Sequence, residues 1–168
     1  MAPHFTSTYA TVKLQAARYT EIFLTQVSPP AFNTTPTVLI LIAINVGVHL
    51  LRMLLPGQWD AMIGFVCAFS PPLWLSIVMG EGNQWGYILL LSPIFYAFLH
   101  ADLLHLVINM GFLLAFGTAV ERRLGQGSFL TLYILCAVCG ACASLGVYFA
   151  TYEQTFMVGA SGAISGLF

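Results

Sequence analysis

The sequence predicts an all-α polytopic membrane protein: a helical bundle of three full spans plus the start of a fourth, with a half-submerged loop after the first span. Three observations predict it. Apolar residues make up 59% of the 168-residue chain and charged residues 7%, against about 25% charged in ordinary soluble domains. A soluble fold of this size could not hide that much apolar surface. Three apolar runs approach or exceed the roughly 20 residues that a helix needs to cross a bilayer. The five Lys and Arg residues, Lys13, Arg18, Arg52, Arg122 and Arg123, fall almost entirely in two places, ahead of the first run and just after the second.

The elements follow in order. Residues 1–36 read as a polar tail ending in Pro29, Pro30 and Pro36, with one short amphipathic helix around Val12 to Val27. No signal peptide is evident, because the first apolar run begins near Thr37, too far in, and no small-residue cleavage site follows it. The membrane domain is residues 37–168, expected to be incomplete at its C-terminal end. Its spans are Thr37 to Leu55, Leu103 to Val120 and Phe129 to Ala150, and a fourth run starts near Gly159. Ten residues rise only about 15 Å, so that last run cannot cross alone.

Between the first two spans, Pro56 to Leu99 holds three short apolar pieces: Ala61 to Phe69, Leu73 to Met79 and Trp85 to Leu99. Pro71-Pro72, the polar stretch from Gly80 to Gln84 and Pro93 are expected to break them. Trp59, Trp74 and Trp85 suit anchors at a membrane interface, so the segment reads as a half-submerged loop. An extra span over Trp85 to Leu99 is the alternative.

Charge bias sets the expected sidedness. Lys13, Arg18 and the Arg122-Arg123 turn go to the cytoplasm; the long loop, with Asp60, Glu81 and Asp102, and the Glu153 turn go outward. A bacterial inner membrane fits this arrangement. Arg52, one turn from an outer helix end, can snorkel to the surface.

Near-zero net charge and the lack of any basic cluster give no sign of a nucleic-acid partner. Cys136, Cys139 and Cys142 have C-x2-C-x2-C spacing, but they lie inside an apolar run with no His or carboxylate beside them. They read as small polarizable residues at helix interfaces rather than as metal ligands, and helical geometry points them apart for a disulfide.

Two polar groups carry the chemistry. His105 and Asn109 lie four residues apart, on one face of the second span, about 5 and 10 Å below its outer end by helical rise. Ser161, between Gly159-Ala160 and Gly162, opens the fourth run, which enters from the same side. Polar groups inside a membrane helix are costly and face a bundle interior or a cavity. Alone, each has a bland reading: His105 and Asn109 as hydrogen-bonding glue, Ser161 as a small helix residue, and Gly162-x3-Gly166 as a close-approach seam.

The joint pattern is more specific. His100-Ala-Asp-Leu-Leu-His105-Leu-Val-Ile-Asn109-Met, then Gly117-Thr-Ala-Val-Glu121-Arg122-Arg123-Leu124-Gly125, then Gly159-Ala-Ser161-Gly162-Ala-Ile-Ser-Gly166 together resemble the rhomboid intramembrane serine proteases, in order and over roughly Thr37 to Phe168. The resemblance implies that Ser161 is the nucleophile and that His105 and Asn109, with the Ser161 backbone N–H, stabilise the oxyanion. It implies supporting roles for His100, near the membrane surface, for Glu121, tying a helix end to neighbouring structure, and for Gly159, Gly162 and Gly166. The implied activity is an endopeptidase that cuts transmembrane helices near the outer face, favouring weak helices with Gly or Pro. Its partners are then membrane-protein substrates and the lipid bilayer. This chemistry needs no cofactor or metal.

One feature departs from the family. The family's base histidine lies on a helix after the serine, whereas the histidines here are His4, His49, His100 and His105. The 168-residue chain alone is therefore expected to be inactive. It reads as a piece of a longer protease, with a decayed gene product or a catalytically dead, helix-binding relative as alternatives. The Gly162/Gly166 seam is expected to have lost the helix it packs on. A transporter lined by His105 and Asn109 is a third possibility, disfavoured because intramembrane charges are few and no pair of broken helices is visible.

Overall fold

The structure, a computed structural model, describes residues 13–16, 18, 34–81 and 84–168. Residues 13–16 and 18 are helical; the rest of the amphipathic helix expected over Val12 to Val27 lies outside the described residues. Residues 1–33 form a unit separate from residues 34–168, and the latter unit carries all the elements below.

Helix α1 spans Pro36–Leu54, with a proline in its first turn, where the missing N–H costs nothing. Its buried residues are Thr37, Val38, Leu41, Asn45 and His49, spaced at three and four residues so that they form one stripe. Leu39, Ile40, Ile44, Leu50 and Leu51 are exposed. Polar side chains inside and aliphatic ones outside are the reverse of a soluble helix and suit a helix facing lipid.

The loop after α1 forms three short helices, α2 (Gly57–Cys67), α3 (Pro71–Val78) and α4 (Gly86–Phe95), followed by a 3-10 turn over Tyr96–Phe98. At 11, 8 and 10 residues none reaches the length of a span. Pro71-Pro72 separates two helices as expected, whereas Pro93 does not break the third piece. Pro71 opens α3 at its first position, and Pro93 sits inside α4 without ending it. Arg52 is not left to snorkel: its Nε donates to Asp60 Oδ1 at 2.7 Å and its guanidinium to the His100 carbonyl at 3.1 Å. Those bonds fasten the end of α1 to the loop.

Helix α5 covers Leu103–Leu124 and α6 covers Gln126–Thr151; with α1 they are the three helices long and apolar enough to cross a membrane. Gly125, at φ +79°, makes the turn between α5 and α6, a conformation that glycine adopts without strain. Within α5 the winding changes to π over Leu113–Gly117. Asn109 and Glu121 are twelve residues apart and both are buried. Twelve residues of ideal α-helix would leave them about a third of a turn off register. The wider π turn takes up that difference.

Helix α6 buries Phe129, Tyr133, Ala137 and Ala141, one residue in four. Lipid tails are as apolar as leucine, so association here rests on close packing rather than on escape from water. The short helix α7 (Ser161–Ser165) accordingly crosses α6 where side chains are smallest. A Cβ on Gly140 would lie 3.2 Å from the Gly162 Cα, and a Cβ on Gly166 would overlap the Cys136 thiol. The Gly162/Gly166 seam has therefore not lost its partner. It packs on α6. Among the described residues there is no strand, only one isolated antiparallel bridge between Phe69 and Met157.

Candidate functional site

The site is assembled from the start of α5 and the turn that leads into α7. Asp102 caps α5, its Oδ1 accepting the His105 backbone N–H at 2.8 Å. This side-chain cap satisfies one of the helix's free amides and fixes the turn that carries His105. One turn on, the Asn109 side-chain amide donates to the His105 carbonyl at 2.9 Å. That amide has two N–H groups, so this bond leaves a second donor on Asn109. Asn109 is buried and His105 half-buried.

Gly159 brings the second segment in. Its φ of +109° is a conformation that side chains rarely adopt, and the space a side chain would need is filled: a Cβ there would lie 2.5 Å from His105 Cε1, 2.6 Å from His105 Nε2 and 3.7 Å from Asn109 Nδ2. Only glycine meets both conditions. The His105 ring thus lies flush against the main chain two residues before Ser161. Ser161 itself is exposed at the first position of α7.

His100 is 1% exposed, and neither ring nitrogen has a protein hydrogen-bond partner. Expected near the membrane surface, it is buried within the protein, its ring 5.2 Å from that of His105 in an edge-on arrangement. Burial first, then the nearness of His105, His49 and Arg52, holds its pKa down to about 4. His49 is also buried, with its Nδ1 unpartnered.

Glu121 lies at the far end of α5, away from this cluster. It accepts hydrogen bonds from the Thr35 hydroxyl and, at 3.2 Å, from the Val38 amide, joining α5 to the start of α1. Gly162 and Gly166 lie in the α6–α7 crossing. The structure thus brings together His100, His105, Asn109 and the Gly159 turn beside Ser161, and leaves Glu121 apart.

Two residues of this region have roles that the sequence alone does not assign. Asp102 has a recognisable signal, an Asp directly before an apolar helical run. Tyr96, fully buried, accepts the Gly159 N–H on its carbonyl at 2.9 Å. A lone tyrosine in an apolar stretch gives no such signal.

The Rhomboid domain family model matches residues 85–168, half of the chain and all of the site. The Bacillus subtilis (strain 168) protein named "Putative rhomboid protease YdcA" is 34% identical over 123 residues, 64% of this chain and 59% of that protein. "Rhomboid protease GluP" of the same organism is 39% identical over 89 residues, 53% of this chain and 15% of that protein. The chain thus spans less than two thirds of either relative's length. With three membrane-spanning helices and a family match that takes in His100, His105, Asn109, Glu121 and Ser161, the chain belongs to the rhomboid family of integral membrane proteins.

Proposed function

We propose that this protein acts as an intramembrane serine endopeptidase, with Ser161 as nucleophile and His105, Asn109 and the Ser161 backbone N–H as the oxyanion site. The carrying observation is the fit of the Gly159 turn against the His105 ring, at a glycine whose φ no other residue adopts readily. It supports a serine held next to two side-chain donors in a low-dielectric region. Attack of the Ser161 hydroxyl on a peptide carbonyl would put negative charge on the carbonyl oxygen. Preorganised donors at that oxygen are worth about 2.7–4 kcal/mol each in other proteases. A serine hydroxyl also needs a base to take its proton. Family resemblance assigns that role to a histidine on a later helix, and none of His4, His49, His100 and His105 is given it here.

The proposed substrate is a transmembrane helix of another membrane protein. A carbonyl in a regular helix is occupied by its own hydrogen bond, so cleavage requires local unwinding. Gly and Pro lower the cost of that unwinding. The exposed position of Ser161 is compatible with entry of such a segment and of the water that releases the product. The proposed setting is a bacterial inner membrane, with the N-terminus cytoplasmic and the site on the outward side, as the Lys and Arg placement favours.

The test is a fluorophosphonate probe applied to the natural gene product in membranes, with Ser161→Ala as control. Labelling and substrate cleavage that both disappear in the variant support the reading; cleavage that survives in Ser161→Ala would falsify it. The second reading is a helix-binding relative without activity. It predicts crosslinking to membrane helices with neither labelling nor cleavage.

A further inference from the structure

Tyr96 makes two hydrogen bonds, one to the segment just before Ser161 and one to α6. Its carbonyl accepts the Gly159 N–H at 2.9 Å. Its hydroxyl donates to the Ala137 carbonyl of α6 at 2.8 Å. That carbonyl has two lone pairs, so the tyrosine adds to the helix bond rather than replacing it. The hydroxyl oxygen also fills a notch between two glycines. A Cβ on Gly140 of α6 would lie 2.7 Å from it, and a Cβ on Gly162 of α7 would overlap it. One residue therefore holds position 159 by its main chain and abuts position 162 by its side chain, with Ser161 in between.

The neighbouring contacts point the same way. The Tyr96 ring lies 6.5 Å from the Phe69 ring. Phe69 in turn exchanges two backbone hydrogen bonds with Met157, at 3.0 and 2.8 Å. The loop between α1 and α5 thus clasps residues 157–162 at both Phe69 and Tyr96, and the Tyr96 side chain reaches across to the α6–α7 crossing.

We propose that Tyr96 is a positioning residue for Ser161, its hydroxyl acting as a spacer that sets how α7 leaves α6 and so where the serine points. This rests on the reading of Ser161 as nucleophile. A hydroxyl that only contributed packing would change stability and leave the reactivity of each folded molecule alone. A spacer changes reactivity, and it does so reciprocally with the glycine it abuts. Gly162→Ala drives a methyl group into the hydroxyl. Tyr96→Phe removes that oxygen, after which the nearest atoms to the new methyl are Met157 Cε at 3.3 Å and Tyr96 Cζ at 3.4 Å, a tight but tolerable fit.

The experiment compares wild type, Tyr96→Phe, Gly162→Ala, the double variant and Ser161→Ala in the natural gene product, purified in detergent. Melting temperature, kcat and KM on a transmembrane substrate, and fluorophosphonate labelling are read for each. Misplacement of a reacting group by about 1 Å can cost about a hundredfold. Tyr96→Phe is expected to lower kcat about tenfold with KM within about twofold, and Gly162→Ala to lower it about a hundredfold. The double variant should recover about tenfold over Gly162→Ala and regain its melting temperature. Wild-type kcat in Tyr96→Phe, or a double variant no better than Gly162→Ala, overturns the proposal while Ser161 labelling stands. A wild type that is not labelled at Ser161 overturns the nucleophile reading, and the positioning role with it.

Discussion

Two buried polar clusters lie at opposite ends of α5, and they are built on opposite principles. At one end, Glu121 accepts from the Thr35 hydroxyl and the Val38 amide, so its carboxylate joins two helices. At the other, His100 is buried with neither ring nitrogen partnered, and Asn109 gives one of its amide hydrogens to the His105 carbonyl. Buried polar groups in native proteins nearly always have partners, and an exception calls for a reason. The comparison supplies one. A carboxylate with its hydrogen bonds made stabilises, whereas a buried ring and amide with donors to spare have capacity for a substrate or water. The two ends should therefore fail differently when cut.

The largest effect is expected at the proposed reactive end. Ser161→Ala should reduce cleavage by the natural gene product at least about a thousandfold, with the melting temperature unchanged, because Ser161 is exposed and a methyl group fits its place. A large fall in melting temperature would mean that the serine holds the fold together, and the contrast between the two ends would collapse.

Next comes Asn109→Ala, which should lower kcat about a hundredfold, the typical loss for one oxyanion donor, and leave KM nearly unchanged. A rise in KM at constant kcat would instead make Asn109 a ground-state contact. Glu121→Gln should show the opposite signature. The amide keeps the volume but loses the charge that strengthens both hydrogen bonds, a loss of about 1.5–3 kcal/mol. Denaturation should therefore come earlier, while kcat per folded molecule stays at the wild-type value. If Glu121→Gln lowered kcat and not stability, the division between the ends would be wrong.

How much of this was legible beforehand depended on whether a residue's role was local. The three spans were readable because lipid imposes length and composition on each helix separately. His105, Asn109 and Ser161 stand out as candidates because polar residues in an apolar run are conspicuous, and because charge bias predicts a common side for α5 and α7. The fit of Gly159 against the His105 ring was not, since nothing in a glycine says what fills the space above it. Pro93 was misjudged because a proline's effect depends on whether neighbouring groups satisfy the carbonyl it frees. Arg52 is expected to snorkel because its partners, Asp60 and the His100 carbonyl, come from the loop and are invisible in the sequence. The Gly162/Gly166 seam was given no partner because Gly140 and Cys136 look like ordinary small residues until the crossing is seen. Tyr96 combined all these difficulties, being defined entirely by what it touches.

A further effect sharpens the comparison through pH. The His100 pKa is held at about 4, by burial first and then by His105, His49 and Arg52, whereas an unfolded histidine titrates near 6.5. Between those values the unfolded chain binds a proton that the folded protein does not. By linkage, folding stability then falls as pH drops from about 6.5 towards 4, and His100 contributes no slope above that window. Melting temperatures measured across it should decline in wild type, and the decline should be shallower in His100→Gln, which removes the titrating ring. Glu121→Gln should leave this His100 component in place, because the substitution lies at the other end of α5. Equal slopes in wild type and His100→Gln would mean that the buried ring gains a partner in the membrane, and that the two ends of α5 differ less in their satisfaction than their contacts indicate.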